Sequence, residues 1–424
     1  MPTQHQEMRE KIIDTALSEW GQTRFNKTSL SALAGRLGIT KPALYRYFCS
    51  KEELIESVET RVVDAYLQLG RTFLEKSKGA SLRETLRSYI DIHFRFFGEH
   101  PDYFYFFILN SLRKPFLESR GLQPLYEEKC RVFDQLLGSS RSGWSREEIG
   151  KLIRFIYTTG IYLLHHILQT EGETGDVLHH ISAARSLSPQ QRDELVDATC
   201  QVCLEGFAGT NFNDEIPFEE LEEHCRVLPD EMPEKNRIFE AISELVAEYG
   251  LAEASLDKIA KKACLSKSSL YFYFKNKDDM LGSMFKQERT RLIEIILERM
   301  EGYASFEEKL YCRILVSGSY LANRMSLMTT AMWFHFQGIQ VLFQLPLRDM
   351  LAAQIIIVDR ALKEKKLRSR PFDDALQMLT YNSILVMNEV LAAHHFQPQK
   401  PFALKDLRSV YRFFTRGISR SCKQ

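Results

Sequence analysis

The strongest constraint on this chain is that it contains one sequence twice. Residues 12–48, "IIDTALSEWGQTRFNKTSLSALAGRLGITKPALYRYF", lie without a gap on residues 238–274, "IFEAISELVAEYGLAEASLDKIAKKACLSKSSLYFYF", 226 positions later. Apolar classes coincide at Ile12/Ile238, Leu30/Leu256, Leu33/Ile259, Ala34/Ala260, Ile39/Leu265, Leu44/Leu270 and Phe48/Phe274. Polar classes coincide at Ser29/Ser255, Lys41/Lys267 and Lys51/Lys277. A gapless internal repeat with a matched apolar pattern means two copies of one folding unit.

Each copy is followed by about 150 residues in which apolar residues recur three and four apart, as in Ile149, Leu152, Ile153, Ile156 and Tyr157. That is helical periodicity, and strand alternation is weak throughout. The expected fold is therefore all-α, in two like units. The expected boundaries are 1–55 and 236–281 for the repeated heads, 56–210 and 282–424 for the helical bodies, and 211–235 for a linker. The linker and its last flanking residue, "NFNDEIPFEELEEHCRVLPDEMPEKN", hold nine acids against Arg226 and Lys235, with three prolines. Its charge and prolines argue against a packed core, apart from a short surface helix in "FEELEEHCR".

Within the head, Ile12, Ile13, Ala16, Leu17 and Trp20 form the apolar face of a first helix. Ser29 offers an N-cap for "LSALAGRL". Gly38 ends that helix, since glycine enters the left-handed region cheaply. Thr40 caps the next helix, and Pro42 is tolerated in its first turn. Ser50 and Glu53 make a capping box for a fourth helix, with Asn276 and Asp279 at the matching positions. Three residues between helices two and three is helix-turn-helix spacing. Leu44, Phe48, Leu270 and Phe274 fall on the inner face.

The chain has no net charge, yet from Gln22 to Lys51 there are six bases and no acids. From Glu248 to Lys277 there are six lysines and three acids. A local basic face suffices to bind phosphates. The apolar runs are too short to span a membrane. Nor is there an apolar signal core after Met1, so a cytoplasmic chain is expected, with its eight cysteines as reduced thiols.

Cys200 and Cys203 fit a buried helix face better than a metal site, because no second Cys/His pair has matching spacing. No phosphate loop, nucleophile elbow or metalloprotease motif is present, so neither an enzyme nor a cofactor is expected.

The stretches "TSLSALAGRLGITKPALYRYFCSKEEL" and "ASLDKIAKKACLSKSSLYFYFKNKDDM" resemble the DNA-binding domain of the tetracycline-repressor (TetR/AcrR) family. The resemblance covers about 45 residues of each unit and implies double-stranded DNA as partner. It assigns base edges to Thr40, Lys41, Pro42 and Ala43, and to Ser266, Lys267, Ser268 and Ser269. Backbone phosphates or nearby bases go to Tyr45, Tyr47, Tyr271 and Tyr273, and phosphates to Lys51 and Lys277, with the caps Ser29 and Ser255 beside them. Arg24 stands where the family has glycine and where the second copy has Gly250. Phe272 replaces Arg46.

The resemblance also implies a small apolar or amphipathic effector in the helical body. Phe96, Tyr103, Phe104 and Phe107 of "FRFFGEHPDYFYFFILN", and Trp333 and Phe336 of "AMWFHFQGIQVLF", are the candidates for its pocket. In the family, the last two helices pair between chains. Here 147–170 with 190–208 and 373–395 with 404–419 would pair within one chain, as a pseudo-dimer reading an asymmetric operator. A homodimer of tandems is the other arrangement. The functional alternative is a helical ligand-binding or scaffold protein whose helix-turn-helix copies no longer bind DNA.

Overall fold

The computed structural model describes residues 4–22, 29–104, 106, 122–138, 146–169, 188–232, 236–249, 254–325, 328, 330, 346–372, 374–396 and 402–418. These are helical, with a single antiparallel bridge between Ala208 and Leu367. The first head is α1 (Gln4–Gln22), α2 (Leu30–Leu37) and α3 (Lys41–Leu44), followed by the long α4 (Lys51–Lys76). The first body adds α5 (Leu82–Glu99), α6 (Leu122–Gly138), α7 (Arg146–Gln169) and α8 (Pro189–Glu205). After α9 (Phe218–His224) comes the second head: α10 (Arg237–Tyr249), α11 (Leu256–Lys262) and α12 (Lys267–Tyr273). The second body has α13 (Lys277–Met300), α14 (Phe306–Asn323), α15 (Leu347–Met350), α16 (Ala352–Lys363), α17 (Ala375–Phe396) and α18 (Leu407–Arg416).

Local chemistry sets the boundaries in the heads. Ser29, Thr40 and Ser50 cap α2, α3 and α4, and Ser255, Ser266 and Asn276 cap α11, α12 and α13. The capping acids differ slightly from expectation. Glu53 accepts from Cys49 N at 2.6 Å and Asp279 from Lys275 N at 2.9 Å. Each carboxylate thus reaches one residue past the cap, and it does so in both copies.

The turn between helices two and three is left-handed at Gly38 (φ 67°) and at its counterpart Cys264 (φ 57°). Leu44, Phe48 and Leu270 are buried, and Phe274 is half-buried. The first head owns a separate core, in which Ile12, Leu17, Trp20, Leu33, Leu44, Phe48 and Val62 are joined by Phe106. The second head's Ile259, Ala260 and Leu270 are continuous with the main core.

The four helices α7, α8, α17 and α18 pack together within the one chain. Phe155 stacks on Phe413 with ring centroids 4.8 Å apart. Tyr381 meets Thr159 Oγ1 at 2.6 Å, and Tyr162 donates to Gln377 O at 2.9 Å. Lys151 lies 3.2 Å from Asp406, and Arg154 lies 3.1 Å from Glu389. Backbone bonds add to this: Phe207 N donates to Phe414 O, Ala208 N to Thr415 O and Ile418 N to Cys203 O.

The linker differs from the expectation of an unpacked tether. Leu221, Cys225 and Val227 are buried, and α9 lies on α14. Four of its nine acids are paired by the second body: Arg408 pairs with Glu219 and Glu222, Arg416 with Asp214, and Arg299 with Glu231. Composition overstated the repulsion because the matching arginines lie about 70 to 200 residues away in sequence.

Candidate nucleic-acid interface and effector cavity

The first reading turn is open to solvent. Lys41, Pro42, Tyr45 and Arg46 are exposed, and Ala43 is half-buried. Thr40 Oγ1 is engaged as the cap, accepting from Ala43 N at 3.3 Å. Tyr47 leans back on the head core, its ring 4.9 Å from that of His5. Lys51 opens α4, where the helix dipole favours an anion. Arg24 lies outside the described residues.

The second reading turn has the same backbone and a different surface. Ser266 Oγ accepts from Ser269 N at 3.0 Å and lies 2.8 Å from Ser268 Oγ and 2.7 Å from Ser269 Oγ. Lys267 is held by Asp257 at 3.0 Å, which pushes its ammonium pKa upward. The position matching Asp257 in the first copy is Ser31, so Lys41 faces no such acid. Tyr271 is half exposed and Phe272 is 83% exposed, an aromatic face where the first copy presents Arg46. The side chains of Tyr273 and Lys277 and the position Gly250 lie outside the described residues. The acid at 257 was legible in the sequence; its bond to Lys267 was not, since it depends on how α12 crosses α11.

Behind the first head lies a small cavity of about 30 Å3. It is lined by Ile90, Phe94, Phe97, Phe104, Ile156 and Tyr157, among others. Of the expected pocket residues, Phe104 lines it. Phe96 and Tyr103 do not: they pack on each other and on His100, with centroids 5.2 to 5.7 Å apart. Phe107, Trp333 and Phe336 lie outside the described residues. Nine wall residues were not among the sequence candidates, His93, Tyr157 and Gly160 among them. They come from α5 and α7, which only tertiary packing brings together.

The turn that opens at Pro101 touches both regions. Phe104 faces the cavity, Tyr103 and Phe106 pack on the head core, and Gly21 lies so close to Asp102 that it has no room for a Cβ. No group of acids, histidines and cysteines suited to a metal occurs among the described residues, and none of their helices is long and apolar enough to cross a membrane. Cys200 and Cys203 are buried on α8, and burial pushes the Cys200 thiol up to about 12.

Comparison with known proteins adds the family. The sequence model described as "Bacterial regulatory proteins, tetR family" matches residues 12–58 and again 238–284. The chain is 37% identical over 91 residues to a fatty acid metabolism regulator protein of Bacillus subtilis, covering 22% of this chain and 47% of that one. It is 22% identical over 102 residues to the transcriptional regulator BetI of Escherichia coli, covering 24% and 52%. The matched segments thus span about half the length of these relatives.

Two solved structures align over less than half the chain. The fatty acid degradation regulator FadR of Bacillus halodurans aligns at 22% identity and a TM-score of 0.33, covering 42% of this chain and 96% of that one. FadR of Bacillus subtilis, in complex with stearoyl-CoA, aligns at 25% identity and 0.33, covering 43% and 97%. Both heads match the same family at the positions of the internal repeat, and the chain belongs to the TetR family as a tandem of two units.

Proposed function

We propose that the chain is a ligand-responsive transcriptional repressor that binds double-stranded DNA in the cytoplasm as a single-chain pseudo-dimer. The observation that carries this reading is that two heads of one design, with different reading turns, stand on one bundle formed within the chain. A homodimer carries two identical heads and needs a palindromic operator. Here Thr40 and Ala43 offer methyl groups and Pro42 an apolar ring, suited to thymine, and Ser266, Ser268 and Ser269 offer hydroxyls. The half-sites therefore differ, sharing at most the base met by Lys41 and Lys267.

Tyr45, Tyr47, Tyr271, Tyr273, Lys51 and Lys277 act on the phosphate backbone, with Ser29 and Ser255 beside them. An apolar or amphipathic effector enters the cavity beside Phe104. It displaces the turn at Pro101, and Tyr103 and Phe106 pass the shift to the first head. The head separation must match about one helical turn, roughly 34–36 Å, so a shift of a few ångströms removes one set of contacts. The head's likeness to a fatty acid metabolism regulator favours an effector with an aliphatic chain.

Selection of bound sites from random DNA, followed by gel shift, tests the reading. An asymmetric site with two unlike halves is expected. A palindrome would contradict it, and so would a single half-site read by the first head alone. No sequence-enriched binding would favour a ligand-binding protein without DNA.

A further inference from the structure

The second reading helix carries an apolar side chain where the helix faces directly away from the protein. Leu270, at the centre of α12, is 2% exposed and fixes the inner face of the helix. An α-helix turns about 100° per residue, so Phe272 stands about 200° round from Leu270, close to the outermost line. Ser268, one turn earlier, stands near the same line and is exposed. Phe272 is 83% exposed.

Single apolar side chains on a surface are ordinary, but clusters of them mark contact sites. Leu265, in the turn before α12, is 37% exposed, and Tyr271 is 50% exposed. Three large apolar side chains therefore lie open within one short turn and helix. The matching residues of the first head are Ile39, which is half-buried, Tyr45, which is exposed, and the cation Arg46. The repeat has thus kept the backbone of the reading turn and exchanged a charge for an aromatic ring at its outermost point.

Charge decides what covers this ring. Lys261, Lys267 and Lys275 flank it in sequence and are exposed. The centre of a protein–protein interface is depleted of lysine. A polyanion whose groove also presents apolar groups suits both features. In the major groove of DNA that group is the C5 methyl of thymine, against which a phenyl ring packs. A helix lying in the groove carries its outermost line deepest, which brings Ser268 and Phe272 to base edges together.

We propose that Phe272 is a specificity-determining residue that packs on a thymine methyl in the half-site of the second head. The first head presents Arg46 there and selects no methyl at that point. This deepens the DNA reading given above and rests on it.

Replacing thymine by deoxyuridine removes the methyl and leaves base pairing intact. The test is gel shift of the full chain on the selected operator, with each thymine of the second half-site replaced singly. At one position the replacement should weaken binding by about three- to fivefold, the value of one buried methyl. The salt slope should stay unchanged, because no counterion is involved. Phe272→Ala should bind the thymine and uracil operators alike. Phe272→Leu should keep part of the difference. Phe272→Arg should abolish it and steepen the salt slope by up to about one. The side chain is exposed, so all three variants should fold, and urea unfolding checks this.

A second half-site at which no thymine is sensitive to uracil would overturn the inference and leave the asymmetric operator standing. So would a uracil effect that persists in Phe272→Ala. An aromatic face that serves another partner would show itself the same way, as Phe272→Ala binding every operator like the wild type. A palindrome with a Phe272-dependent uracil effect in one half would refute the asymmetric operator and leave this contact standing. Recovery of the first head's half-site alone would overturn both.

Discussion

Gly206 and Gly417 are reciprocal keystones of the joint between the two units. Gly206 ends α8 with φ 61° and ψ −159°, and Gly417 ends α18 with φ 59° and ψ −151°. A Cβ on Gly206 would stand 2.5 Å from Arg416 N and Thr415 O, and one on Gly417 would stand 2.6 Å from Cys203 O and Glu205 N. Each glycine thus allows its strand of backbone to approach the end of the other unit's last helix. The bonds Phe207 N to Phe414 O and Ile418 N to Cys203 O follow from that approach.

Alanine at either position adds both strain and a backbone clash. Gly206→Ala and Gly417→Ala should each lower stability by about 2 kcal/mol or more, measured by urea unfolding. A loss below about 0.5 kcal/mol would mean that the joint relaxes freely and is not a close-packed seam.

The second turn shows the opposite case, a side chain where the backbone favours none. Cys264 takes φ 57°, where the first head has Gly38. The residue is exposed, so no packing contact compensates for the conformation. Cys264→Gly should stabilise the second head by roughly 0.5–1 kcal/mol, with Gly38→Ala costing the first a similar amount or more. Amide exchange in α11 and α12 against α2 and α3 reads the two heads separately. Faster exchange in α12 of Cys264→Gly would refute the assignment.

Much of this architecture was legible in the sequence because the repeat is a local signal. The caps at Ser29, Thr40, Ser50 and Asn276 depend on residues three apart, and the inner face of Leu44 and Phe48 depends on helical period alone. What failed was non-local. The linker's acids looked repulsive until Arg408, Arg416 and Arg299 came into range. His93 and Tyr157 lie on different helices, and nothing in their spacing joins them. Tyr103 read as pocket because it stands in an aromatic run, yet helical rotation turns it to the head and Phe104 to the cavity.

His93 gives the first body a defined acid sensitivity. Its folded pKa of about 3 lies below the ordinary 6.5. Between those values the unfolded chain binds a proton that the folded chain refuses, so stability rises with pH there and falls as pH drops below about 6.5. From pH 7 to pH 5 the loss from this one group should be about 1–2 kcal/mol. His93→Gln should remove that part of the slope, as measured by urea unfolding at the two pH values. Identical slopes in the two proteins would place His93 in contact with water.

Lys51 tests the phosphate assignment. It opens α4 beside the reading turn and makes no base contact in the proposed docking. Lys51→Ala should weaken binding to all DNA sequences alike and lower the salt slope by about one. A change of base preference with an unchanged slope would move Lys51 from the backbone to a base edge.

The two heads are predicted to differ in strength, and the difference traces to one pair. Lys267 must leave Asp257 before it can meet guanine or phosphate, whereas the first copy has Ser31 at the matching position and no acid there to hold Lys41. An exposed ion pair of this kind holds weakly and is screened by salt. Asp257→Ser removes both the competing bond and an acid facing the DNA. Binding should tighten by roughly two- to fivefold, with a salt slope steeper by up to about one as Lys267 displaces a counterion. Ser31→Asp in the first head should do the reverse, by a similar factor. Both are read by gel shift over a salt series on the selected operator, with the base change confined to the half-site of the altered head. If Asp257→Ser leaves affinity and slope untouched while Ser31→Asp weakens binding, the second head does not engage DNA, and Phe272, exposed where the first head has Arg46, becomes the feature to account for.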